Sequence, residues 1–226
     1  GAVDTYHDET GIDAGKSKSK NVGLLNGIDL FDPLFFNMSP AEAEYMPPEE
    51  RLLLMEAYHA LEDAGINPSA LSKEQVGVFV GMEESGYIVP QSAKRSDSSE
   101  NSDCRNNSDC RSSDTSGEYS GMAITSSGTA MISSRLSYFL NFRGPTLALN
   151  TSCSSSLVAF HQACVSLQNE ESSLALAAGG ALLYGPQSYI MMSQAGMLST
   201  SGQCRTFSKQ ADGIACGESV VVLVLK

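Results

Sequence analysis

Asn150-Thr151-Ser152-Cys153-Ser154-Ser155-Ser156-Leu157 marks the point at which one periodicity gives way to another. The preceding run, Pro145-Thr146-Leu147-Ala148-Leu149, reads as a short strand, and the following run, Leu157-Val158-Ala159-Phe160-His161-Gln162-Ala163-Cys164-Val165-Ser166-Leu167, reads as a helix. One cysteine therefore stands at a strand-to-helix turn. The first N–H groups of a helix lack intrahelical partners and carry partial positive charge, which favours thiolate over thiol at that end. A cysteine placed there can be a nucleophile at neutral pH, and the same N–H groups can cradle the oxygen of an attacked carbonyl. Position alone equally allows Cys153 to be a small buried residue that fills the corner.

Around this turn, apolar strand patterns alternate with helical ones. Residues 76–80, Val-Gly-Val-Phe-Val, form a glycine-bounded, β-branched run expected to be a strand buried on both faces. Residues 174–183 and 219–226 read as further strands, the first rich in small residues that allow close packing against a neighbouring backbone. Ser39-Pro40-Ala41-Glu42 carries a capping serine, proline at the first helical position and glutamate after it, a helix start. A second helix follows Pro47-Pro48-Glu49-Glu50, with Leu52, Leu53, Met55, Ala57, Leu61 and Ala64 on its apolar side before Gly65 ends it. Residues 120–140 are expected to be helical, and Phe31, Phe35 and Phe36 should dock on a core. This alternation predicts an α/β layer fold with much of the sheet covered on both faces.

Two segments fall outside the pattern. Residues 1–26 read as irregular surface chain, with Lys16 to Lys20 a solvated loop. Residues 91–117 are too polar to offset the entropy of ordering, and are expected to form a disordered insert. Within it Asn101-Ser102-Asp103-Cys104-Arg105-Asn106 is nearly repeated by Asn107-Ser108-Asp109-Cys110-Arg111. A tandem duplication explains the repeat, and the Cys104/Cys110 spacing is diagnostic of neither a metal site nor a disulfide.

The chain has 226 residues, 42% hydrophobic and 18% charged, with a formal net charge of −12. Such a charge argues against nucleic-acid partners. The apolar run 220–225 is too short to span a bilayer, so no membrane association is expected. The six cysteines lack a disulfide-framework spacing in a chain this long, which points to a reducing, cytoplasmic setting.

Several motifs appear in a fixed order: Gly27-Ile28-Asp29-Leu30-Phe31-Asp32-Pro33, Arg51-Leu52-Leu53-Leu54 through Ala60-Leu61-Glu62-Asp63-Ala64-Gly65, Val76 to Gly81, Arg135-Leu136-Ser137-Tyr138, Arg143-Gly144-Pro145, the Asn150–Leu157 run, Ala195-Gly196-Met197-Leu198-Ser199, Ala211-Asp212-Gly213 and Gly217-Glu218. In this order they resemble the ketosynthase (beta-ketoacyl synthase) domain of modular polyketide synthases, relatives of the fatty-acid condensing enzymes. The resemblance implies a thiolase-like layered fold, α/β/α/β/α in the full domain, of which residues 1–226 are the N-terminal half, cut at both ends. It implies decarboxylative Claisen condensation with Cys153 as the acyl-accepting nucleophile. The acyl and malonyl-type substrates would be carried on the phosphopantetheine of an acyl carrier protein, with no cofactor bound by the domain itself. Neighbouring polyketide synthase domains and a second copy, paired near residues 145–149 as a homodimer, are the other implied partners.

The resemblance also implies two histidines in His-Gly-Thr and Asn-x-x-His motifs, and this sequence contains neither motif. Its three histidines lie elsewhere: His7, His59 on the helix after Pro47, and His161, expected to pack against its own helix about 12 Å along from Cys153. The isolated chain is therefore expected to be unable to condense. Pro47, Ser208 and Ser219 depart from the family's usual residues. They leave open a non-elongating transacylase, or a non-catalytic half-domain used for dimerisation or carrier docking. Cys164, Cys204 and Cys216 are expected to be structural.

Overall fold

The computed structural model describes residues 6–8, 15–83, 87 and 128–226. The insert at 91–117, with Cys104 and Cys110, lies outside the described residues, as do residues 120–127 of the expected long helix. The elements run α1 (Pro40–Tyr45), α2 (Pro48–Asp63), a 3-10 turn (Pro68–Leu71), β1 (Val76–Gly81), α3 (Thr129–Phe139), β2 (Thr146–Leu149), α4 (Ser155–Gln168), β3 (Leu174–Ala181), α5 (Pro186–Gln194) and β4 (Ser219–Leu225).

The strands form one sheet in the order β2-β1-β3-β4. β1 runs parallel to β2 and β3, and β3 pairs antiparallel with β4. Alternate residues of the central strands divide the core in two. Val76, Val78, Val80, Leu174 and Leu176 face α2 and α3, where Leu53, Leu54, Ala57, Leu61, Ile132 and Leu136 meet them. Phe79, Ala175 and Ala177 face α4, against Ala159 and Ala163. Small residues on both sides let α4 lie close to the sheet. The result is an α/β/α layering, as the alternation of patterns predicts.

Coverage is less complete than expected. β1 is buried along its whole length, whereas β4 alternates. Val220, Val222 and Val224 pack toward α2, while Val221 and Leu223 are 54% and 45% exposed on the other face. α4 covers β1 and β3 and leaves Val221 and Leu223 of β4 open, and its own Leu157 is 74% exposed.

The helix starts behave as their sequences dictate. The Ser39 hydroxyl accepts from the Glu42 N–H ahead of α1, and α2 opens with proline at its first position and ends at Gly65 in a left-handed conformation. α3 begins at Thr129, because Gly128 has φ +117° and is outside the helix. Phe31 and Phe36 stack with ring centroids 5.0 Å apart, and Phe36 meets Phe139 at 5.0 Å, so the loop before α1 does dock on the core.

The segment 1–26 is irregular where described, but not all of it is surface. Ser17 and Ser19 are buried, the Lys18 N–H donates to Ser193 Oγ, and the Tyr189 hydroxyl donates to the Asn21 carbonyl. These contacts hold α5, a helix the hydrophobic pattern does not announce. Among the described residues no helix is long and apolar enough to cross a membrane.

Candidate active site

The turn between β2 and α4 is built by its serines. Ser155 is 4% exposed; its hydroxyl donates to the Ser152 carbonyl and accepts from the Thr151 N–H, while its own N–H donates to the same Ser152 carbonyl. The Ser154 hydroxyl donates at 2.9 Å to the Thr151 carbonyl, with Thr151 Oγ1 also at 2.9 Å. The Asn150 side chain accepts from the Ser152 N–H at 3.0 Å. Ser152 adopts φ +58°, a left-handed conformation that a non-glycine residue reaches only when its surroundings impose it. The chain reverses sharply here and presents Cys153 outward.

Cys153 sits one residue before Ser154, which precedes the first residue of α4, and its thiol is free and exposed. No side chain caps α4; the Ser155 N–H is taken by the Ser152 carbonyl, which leaves those of Ser156 and Leu157 as the uncapped donors of its first turn. The expectation of a cysteine at a helix start holds, and the buried-corner alternative does not: the thiol borders a cavity of about 970 Å³. Leu157, Phe160, Val221 and Leu223 form the apolar wall of that cavity, and Glu49, Glu83 and Tyr184 bring polar groups to it.

Glu83 lies two residues beyond β1, and the Ser152 hydroxyl donates to its Oε1 at 2.8 Å. Ser152 Oγ is also 3.9 Å from Cys153 Sγ. Sixty-nine residues separate Glu83 from Ser152, so no local spacing pairs them. The pairing arises because β1 and β2 are parallel neighbours whose ends, Gly81 and Leu149, stand in register.

Glu49 and Glu50 open α2, where a helix's N-terminal dipole favours acidic groups. Glu50 is 2% exposed, and burial pushes its carboxyl up to about 8; the Arg135 guanidinium opposes that shift and Glu49 adds to it. Arg135 Nε lies 3.9 Å from Glu50 Oε2, and its Nη1 pairs with Glu42. This polar cluster joins α1, α2 and α3.

The histidines take no part in the cavity. His59 is exposed and 3.5 Å from Glu56, and His7 Nδ1 donates to the Ser17 carbonyl at 3.1 Å. His161 is exposed rather than packed, because α4 turns that face away from the sheet. Of the other cysteines, Cys204 is exposed and its sulfur accepts from the Ala215 N–H at 3.1 Å. Cys216 is partly buried, and that burial pushes its thiol up. Pro47 is fully buried, Ser208 is exposed, and Ser219 is the first residue of β4.

Residues 2–226 match the family model for the beta-ketoacyl synthase, N-terminal domain. The chain is 39% identical over 224 residues to the polyketide synthase PksL of Bacillus subtilis, covering 99% of this chain and 4% of that protein. It is 43% identical over 205 residues to the polyketide synthase ThaG of Burkholderia thailandensis, covering 88% of this chain and 3% of that one. Among solved structures, the oxazolomycin ketosynthase domain of Streptomyces albus JA3453 superposes with a TM-score of 0.79 at 35% identity, covering 99% of this chain and 36% of that chain. The ketosynthase from module 6 of the bacillaene synthase of Bacillus subtilis 168 superposes with a TM-score of 0.74 at 35% identity, covering 99% and 32%. The chain thus spans about a third of these solved chains and a small part of the synthases.

Proposed function

The chain belongs to the beta-ketoacyl synthase N-terminal domain family, and from that premise we propose that it is the acyl-accepting part of a polyketide ketosynthase in which Cys153 is the nucleophile. The observation that carries this reading is the exposed thiol on a serine-braced turn before an uncapped helix, at the border of a cavity large enough for an acyl chain.

Sulfur suits the task. Cys153 Sγ attacks the carbonyl carbon of a thioester borne on the phosphopantetheine of an acyl carrier protein, and the pantetheine thiol departs. A malonyl-type extender then loses CO2, and the resulting carbanion attacks the acyl-enzyme and expels Cys153. Sulfur serves both steps as nucleophile and leaving group. The first-turn N–H groups of α4 beyond Ser155 are donors suited to the oxyanion formed in each. The apolar wall of Leu157, Phe160, Val221 and Leu223 favours an aliphatic chain.

The histidine motifs that this chemistry requires are absent from these 226 residues. Condensation therefore belongs to a longer domain, and the isolated chain is proposed to be inactive in it. The open face of β4 and α4 suits contact with such further chain. β2 lies at the edge of the sheet with Leu147 42% exposed, which supports homodimer pairing at that strand. Neighbouring synthase domains and a carrier protein complete the proposed set of partners, in the cytoplasm, where free thiols such as the four described here persist.

The test is product formation by the full-length protein. With an acyl-carrier thioester and a malonyl-carrier, a β-ketoacyl product should appear and should vanish in Cys153→Ala. Acyl transfer without elongation would support a transacylase instead. No acyl transfer at all would leave only a binding or dimerisation role.

A further inference from the structure

The Ser152 side chain has one hydroxyl hydrogen, and the carboxylate of Glu83 takes it at 2.8 Å. In the 3.9 Å contact between Ser152 Oγ and Cys153 Sγ, the sulfur is then the only group left to donate. The donors line up in one direction, from the Cys153 S–H to Ser152 Oγ and from the Ser152 O–H to Glu83 Oε1. The Ser152 backbone is held in place, since its N–H is bound to Asn150 and its carbonyl to both the N–H and the hydroxyl of Ser155. Among the described residues that line the cavity, the only other ionisable side chains are Glu49 and Tyr184, and there is no lysine, arginine or histidine.

We propose that Glu83 is a positioning residue that receives, through the Ser152 hydroxyl, the proton that Cys153 gives up on acylation. The inference rests on the reading of Cys153 as the acyl acceptor. As Cys153 Sγ bonds to the acyl carbon, its proton passes to Ser152 Oγ while the Ser152 hydrogen passes to Glu83 Oε1. The bond from the acyl carbon to the pantetheine sulfur breaks. That sulfur takes up a proton, returned from Glu83 through Ser152 or from water, and leaves as the free thiol. Serine at 152 and glutamate at 83 thus supply a proton acceptor from within this chain. The rival effect of Glu83 is simple repulsion, because a nearby carboxylate disfavours a thiolate. The two effects predict opposite signs.

The experiment measures the rate at which acetyl-pantetheine acylates Cys153 in the full-length protein, followed by mass spectrometry of the peptide that carries it. Wild type is compared with Glu83→Gln, Ser152→Ala and the double variant, all checked for native thermal unfolding. The relay predicts that each single variant is slower by about a hundredfold at neutral pH, the low end of general-base effects. The double variant should be no slower than either single one, and the deficit should shrink as pH rises and hydroxide in the solvent takes the proton in place of the relay. Glu83→Asp should recover part of the rate. Equal rates in wild type and variants, faster acylation in Glu83→Gln, or additive losses in the double variant each overturn the relay while leaving Cys153 as acceptor. Failure of wild type to acquire the acetyl group removes the acceptor reading and the relay with it.

Discussion

Gly81 and Ser155 are packed so tightly that a Cβ on Gly81 would stand 2.1 Å from the Ser155 carbonyl oxygen and 2.3 Å from its carbonyl carbon. Its register partner on β3, Gly179, is equally crowded, since a Cβ there would lie 2.5 Å from Ser156 Cβ. The two glycines form a seat for the first turn of α4, and so set the height of Cys153 above the sheet. Gly81→Ala must displace backbone, an overpacking that costs about 1–3 kcal/mol. It is expected to lower the melting temperature and slow acylation of Cys153. Gly217→Ala is the control, since its Cβ would meet nothing closer than 3.5 Å. Thermal unfolding and acylation rates of the two variants check the contrast, and equal behaviour would contradict the seat.

Glu50 predicts a pH dependence of stability. In the folded chain it keeps its proton up to about 8, while an unfolded chain releases it near the ordinary 4.5. Between these values the folded state binds more protons than the unfolded one. Stability from this group is therefore complete below about 4.5 and is lost as pH rises through about 8. At roughly 1.4 kcal/mol per unit the loss amounts to a few kcal/mol. Glu50→Gln cannot ionise, so it should match wild type near pH 5 and exceed it near pH 9 in thermal unfolding. Parallel pH profiles would rule out a neutral Glu50.

Asp212 should behave in the opposite sense. The buried Ser199 hydroxyl donates to it at 2.7 Å and Thr200 adds a second bond, which hold its carboxyl below the usual range. A lowered carboxyl stabilises the fold above its unfolded pKa, and that contribution fades as pH falls through the folded value. Ser199→Ala should raise the Asp212 titration toward the ordinary carboxylate range, as read by NMR titration of the side-chain carboxyl. An unmoved titration would show that the hydroxyl is not its cause.

Among the described residues β2 is the edge strand of the sheet, and that position predicts how self-association responds to charge. Leu147→Lys places a cation on a 42% exposed position of an edge strand, a standard way for proteins to block pairing. If two copies pair there, sedimentation of the full-length variant should show a shift toward monomer, with the fold intact by circular dichroism. An unchanged association state would place the contact elsewhere.

Much of this architecture is legible in the sequence because burial imposes period. The strands at 76–81, 146–149 and 174–181 and the helices after Pro47 and Ser154 carry their apolar spacing openly, and the helix after Ser39 shows in its capping residues. α5 does not, because its anchors are a serine and a tyrosine bonded to the N-terminal segment rather than an apolar stripe. The exposed face of β4 is hidden for the opposite reason: after Ser219 its residues are all apolar, yet only Leu225 packs against the cluster under α4 while Val221 and Leu223 stay exposed. At the site, Cys153 announces itself by standing where two periods meet. Glu83 does not, since only the parallel pairing of β1 with β2 brings it to Ser152.

The most direct measurement of the central claim is where a carrier-borne acyl group ends up. The full-length protein is incubated with an acyl-carrier thioester, quenched at low pH, digested and mapped by mass spectrometry. The account predicts one acyl mass on the peptide containing Cys153, none on Cys164, Cys204 or Cys216, and no adduct in Cys153→Ala. An unmodified Cys153, or an adduct that survives its replacement by alanine, would contradict it.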